Sequence, residues 1–198
     1  MTRFLTHLEE DIKRLYTRLQ LDGPAYMNMH KIATELNIWI HYEETGSMMI
    51  KHQGVYSIVL NRYASSEEQW EDFAHELCHV LKHTGNHFEM NKQFRDLQEF
   101  QAKQFMYHFC VPTYQLLQMK LPYLRQQAVQ NIAQRFHVTL AFAEKRLTLF
   151  EQRKIGIQFQ QKLALYFSRK QCKTADKVAE KEAVYQTMRE EREADTYS

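Results

Sequence analysis

Trp70, Phe73, Leu77 and Leu81 recur at intervals of three and four residues, a spacing that gathers apolar side chains on one side only if the segment is an α-helix. Ser65-Ser66-Glu67-Glu68 in front supplies a polar cap and early acids, so the helix should run to Lys82 or His83 and stop near Gly85. His75 and His79 stand nearly opposite the apolar stripe, facing away from the core. They are about one helical turn apart, so both imidazoles can converge on a single metal ion. Glu76 lies about 100° round the helix, beside such an ion rather than on it, and can take a proton from a water held there. Zinc would bring that water's pKa to about 7 and polarise a peptide carbonyl, which is metallopeptidase chemistry.

The flanking sequence frames this helix. With only 5 Gly and 3 Pro in 198 residues, a fold of many tight β-turns is disfavoured and a helix-rich one favoured. Phe4, Leu8, Ile12, Leu15 and Leu19 predict an amphipathic helix over residues 2–21, stopped by Asp22-Gly23-Pro24, and a short helix fits Asn28 to Leu36. Three strand-like stretches follow, at Ile38–Tyr42, Ser47–Lys51 and Val55–Leu60. Thr45-Gly46 and Gln53-Gly54 punctuate them, so the expected sheet is a small antiparallel meander. Helices are expected again at Lys92–Cys110, Thr113–Met119, Tyr123–Phe136 and Leu140–Phe150, with a charged helix or frayed tail from Lys173 to Ser198. The expected class is α+β, predominantly helical. Residues 1–120 would form the metallopeptidase domain, 121–170 a helical helix-turn-helix-like extension, and 171–198 a charged tail.

Two histidines do not complete a catalytic site, which needs a third protein ligand and an open position. A histidine three residues past a glycine, the metzincin extension, is absent: Lys82 and Gly85 stand where Gly and His would be needed. The candidates are His83, His87, Glu89, Asp96, Glu99 and His108. Glu99 stands out, because Phe94, Leu97, Phe100, Phe105 and Phe109 share its helix, and a carboxylate on so apolar a helix calls for a partner or a cation.

His75-Glu76-Leu77-Cys78-His79, followed by Glu99-Phe100-Gln101-Ala102, Phe105 and Val111-Pro112, resembles the ImmA/IrrE-type metallopeptidases. Ile58-Val59-Leu60-Asn61 resembles the strand and asparagine that precede that family's active-site helix. The likeness spans residues 32–112, with a weaker echo to Phe150; Gln101, Lys103 and Val111 depart from the family's usual residues. The resemblance implies His75, His79 and Glu99 as zinc ligands, Glu76 as general base, and a helix-rich α+β fold with a small sheet. It also implies a narrow regulatory protease whose substrate is a helix-turn-helix repressor of a phage or mobile element.

Other features carry weaker functional readings. Tyr56, or another of the 11 tyrosines, is a candidate to stabilise the oxyanion, and Val55–Leu60, if it lay at the sheet edge, could pair with an extended substrate. Cys78 reads as a small buried hydrophobe, and His83 either borders the cleft or sits at a helix end. Residues 131–147 have the rhythm of a helix-turn-helix with Lys145, Arg146 and Arg153 as phosphate contacts. Its second helix, however, is rich in Phe, Leu and Ala rather than base-reading residues, which favours packing, or docking of a helix-turn-helix protein, over DNA. A helix-turn-helix regulator with a non-catalytic metal site, and a structural phage protein, are the competing functions. A formal charge of +2 argues for neither nucleic acid nor membrane. No apolar run spans a bilayer, and no signal peptide is expected. Cys78, Cys110 and Cys172, odd in number and far apart, argue against disulfides or a thiolate zinc site and point to a reducing cytoplasm.

Overall fold

The structure, a computed structural model, describes residues 5–21, 28–82 and 91–195. The chain divides into two units, residues 3–151 and the downstream residues 152–198.

In the first unit, α1 (His7–Arg18) opens at Thr6. The Thr6 side chain accepts from the Glu9 N–H while the Glu9 carboxylate accepts from the Thr6 N–H, a reciprocal cap. Next come α2 (Met29–Glu35), β1 (Ile38–Glu43), β2 (Met48–His52) and β3 (Val55–Asn61). The sheet is not the antiparallel meander that the turns suggest. Its order is β1-β3-β2, with β1 parallel and β2 antiparallel to β3. The physical reason lies in β3, whose Ile58, Val59 and Leu60 are all buried, so the most apolar strand takes the centre. Gln53 (φ 50°) and Gly54 (φ 84°) make the tight β2–β3 connection in left-handed backbone that glycine adopts freely.

The helix α3 (Ser66–Lys82) packs on this sheet and against α4 (Lys92–Cys110). Trp70, Phe73 and Leu77 of α3 meet Ala102, Phe105 and Phe109 of α4 in one core that Tyr16 of α1 closes, its hydroxyl donating to the Phe109 carbonyl at 2.6 Å. After α5 (Thr113–Leu116), α6 (Arg125–Phe136) ends at His137 in left-handed backbone, and the Thr139 hydroxyl caps α7. The chain thus breaks, as expected, between the helix ending at Phe136 and the one starting at Leu140.

Arg146 is buried, which removes it from any DNA-facing surface. Its guanidinium donates to the Val111 carbonyl at 3.1 Å and the Thr113 hydroxyl at 2.7 Å. Thr113 in turn donates to the buried carboxylate of Glu9, so one polar network ties α1, α5 and α7 together.

The helix α7 runs unbroken from Leu140 to Asp195, past the expected end at Phe150, and its downstream part forms the second unit. No proline interrupts it, and the one glycine, Gly156, lies in open space. Among the described residues no helix is long and apolar enough to cross a membrane.

Candidate metal centre

Two faces of α3 build the site. The first faces the sheet. There the Gln69 side chain donates to the Asn61 carbonyl at 2.9 Å, Asp72 accepts from the Ser47 hydroxyl at 2.5 Å, and Glu76 accepts from the Met49 N–H. These residues are three and four apart, the spacing of one helical face. Ser47 also accepts from the Asn61 N–H at 3.2 Å, so the start of β2, the end of β3 and the middle of α3 are tied at one point.

The second face carries His75 and His79 and looks onto α4. His79 is buried and His75 nearly so, because α4 forms a second wall; the histidines do not project to solvent, as the apolar stripe alone suggests. Their Nε2 atoms lie 3.2 Å apart. Glu99 of α4 joins them, Oε2 at 3.3 Å from His75 Nε2 and Oε1 at 3.5 Å from His79 Nε2. Two ligands about 2.05 Å from a tetrahedral ion stand about 3.3 Å from each other, close to the His75–His79 separation and to the reach of each histidine to its own Glu99 oxygen, so the three side chains fit a zinc cradle. The donor set, two imidazoles and a carboxylate, is also one that zinc takes.

Glu99 reaches this position for a reason other than the one its neighbours suggest. Its side chain is 42% exposed, and Phe94, Leu97 and Phe100 beside it are exposed as well, so no apolar surroundings force it to find a cation. What brings it in is the packing of α4 along α3. Of the other candidates, Asp96 is exposed and His108 faces Glu9 at 3.4 Å. His83, His87 and Glu89 lie outside the described residues, as does the expected helix stop at Gly85. Among the described residues, His75, His79 and Glu99 are the group able to hold an ion.

Burial depresses the pKa of His75, against the pull of Glu99 and Asp72, and so favours the neutral imidazole that a metal requires. Glu76 is pushed up to about 7. Burial is the main cause and the Glu99 and Asp72 charges add to it, while the Met49 N–H opposes them. A carboxyl poised there can accept a proton near neutral pH and give it back. Burial also lifts the thiol of Cys78 to about 12, in keeping with a small buried hydrophobe.

Tyr56 lies on central β3, packed on the core with the Lys51 ammonium 5.0 Å from its ring centre. Because β3 is paired on both sides, it offers no edge to a substrate; the open edge near Glu76 belongs to β2. Ser47, Asp72 and the Met49 N–H are features the motif does not announce. A backbone donor has no residue signature, and only the turn at Thr45-Gly46 points to Ser47.

Residues 33–148 match the sequence profile of the IrrE N-terminal-like domain, a peptidase family. The phage-like element PBSX protein XkdA of Bacillus subtilis (strain 168) is 58% identical over 192 residues, covering 93% of this chain and 97% of that protein. The uncharacterized protein YqaB of the same strain is 39% identical over 145 residues, covering 73% of this chain and 84% of that one. A solved structure described as a Mycobacterium tuberculosis transcriptional regulator matches with a TM-score of 0.53 at 12% identity, over 69% of this chain and 44% of that one. That is a likeness of fold alone.

Proposed function

Because the chain belongs to the IrrE N-terminal-like peptidase family, of the ImmA/IrrE type, we propose that it is a zinc-dependent endopeptidase acting in the cytoplasm on a DNA-binding repressor of a phage or mobile element. The observation that carries the reading is the trio of side chains on two different helices whose nearest donor atoms lie 3.2–3.5 Å apart pairwise.

His75, His79 and Glu99 would hold the ion, as two imidazoles and a carboxylate suited to zinc. When bound, zinc supplies Lewis-acid polarisation of the scissile carbonyl and acidifies water. Glu76 takes the proton of the attacking water and passes it to the departing amine. Its partly buried carboxyl, steadied by the Met49 N–H, suits both halves of that transfer. An extended substrate segment pairs along the open edge of β2, whose exposed Met48 and Ile50 offer apolar contacts. Residues 1–120 hold this machinery, with the helices of 121–170 as an extension and 171–198 as a charged tail.

The substrate class rests on the family resemblance, together with the likeness to a protein named for a phage-like element. The reading as a DNA-binding regulator loses support from the burial of Arg146, one of the three phosphate contacts it would use.

Co-expression with a candidate helix-turn-helix repressor of a phage or mobile element tests the proposal. The parent chain should cleave it, and Glu76→Gln, with zinc retained, should not. Equal cleavage by parent and variant would overturn the role of Glu76 as base.

A further inference from the structure

The downstream unit is helical to Asp195, and no residue from 152 to 168 is buried. Ile155, Phe159, Leu163, Tyr166 and Phe167 are 41–65% exposed. At about 100° per residue these five fall within about 120° of one another, an apolar stripe flanked about 80° beyond either edge by exposed Leu165 and half-buried Ile157. A stripe of this size facing water marks an interaction surface.

The charges along the same helix select what covers it. From Gln152 to Ala175 every charged residue is basic, with Lys154, Lys162, Arg169, Lys170 and Lys173 among them. From Asp176 to Asp195 the acids Asp176, Glu180, Glu182, Glu190, Glu191, Glu193 and Asp195 outnumber the bases Lys177, Lys181, Arg189 and Arg192. A parallel pair would set base against base and acid against acid. An antiparallel pair sets each basic half against an acidic half.

We propose that this helix pairs antiparallel with the same helix of a second copy of the chain, the basic, striped half of each lying on the acidic half of the other. Five large side chains per copy, each burying on the order of 100 Å², reach about 1,000 Å², the lower bound for a specific interface. The pairing uses residues apart from the candidate metal centre and is independent of the peptidase reading.

Sedimentation of the full chain tests it. At concentrations on the order of 100 μM the chain should be dimeric in about 50 mM salt and dissociate in part at about 500 mM, as screened charges require. Lys162→Glu with Arg169→Glu, and separately Glu182→Lys with Glu190→Lys, should each weaken self-association at least tenfold while leaving helix content unchanged. Mixing the two variants should restore a dimer. Spin labels at position 155 should lie on the order of 50 Å apart, against about 10 Å in a parallel pair. A chain that stays monomeric in low salt, whether or not it binds nucleic acid there, overturns the proposal. So do charge variants that dimerise like the parent, or a short label distance.

Discussion

Asp72 accepts a hydrogen bond from the Ser47 hydroxyl at 2.5 Å, one helical turn before Glu76 accepts the N–H of Met49. The edge strand and the helix of the candidate site are therefore joined at two successive turns, and the second joint holds the proposed base. Ser47→Ala removes the first joint and leaves a charged acceptor without its hydroxyl, a loss of about 1–2 kcal/mol. Thermal unfolding should fall by about 2–8 °C, and repressor cleavage by about tenfold, with bound zinc unchanged. Calorimetry, metal analysis and a cleavage time course check the three together.

The raised pKa of Glu76 makes a pH-dependent prediction for the zinc-free chain. Its folded value of about 7 lies above the ordinary 4.5, so its contribution to stability is fully present below pH 4.5 and is lost as pH rises through 7. Glu76→Gln carries no such loss. Relative to the parent, the variant should gain up to about 3 kcal/mol between pH 4 and pH 8, read from urea unfolding at both. A constant difference across that range would mean the carboxyl is not desolvated in the folded chain.

Arg146 holds the Val111 carbonyl and Thr113 in the interior. Arg146→Ala strands those two buried acceptors, at a cost of about 3 kcal/mol, whereas exposed Lys145→Ala should stay within about 0.5 kcal/mol. Denaturant titration of both variants separates a structural arginine from a surface one.

Burial raises the thiols of Cys78 and Cys110, the latter well above its ordinary range. Both should resist a thiol reagent at pH 8 until the chain unfolds, as mass mapping of the modified cysteines would record.

Much of this was legible in the residues, for reasons that can be named. The period of Trp70, Phe73 and Leu77 sets the helix of the site, and the four-residue step from His75 to His79 is a local geometry that survives any tertiary context. Glu99 was legible as a candidate, although its half-exposed setting shows that the polarity of its own helix was the wrong clue. The sheet order was not legible, since turn residues do not say on which side of β3 the first strand settles. The burial of Arg146 and Glu9 was equally hidden, because charged residues are placed inside only by partners distant in sequence. The length of α7 was masked by its composition, which reads alike for a tail and for an exposed helix.

X-ray absorption at the zinc edge of the loaded chain examines the proposed ligand set itself. The spectrum should fit two imidazole nitrogens at about 2.0–2.1 Å with oxygen ligands at about 2.0–2.2 Å, and His79→Ala should lose one imidazole. Zinc that binds tightly with the same two imidazoles in His79→Ala, or with unchanged affinity in Glu99→Ala, would contradict it.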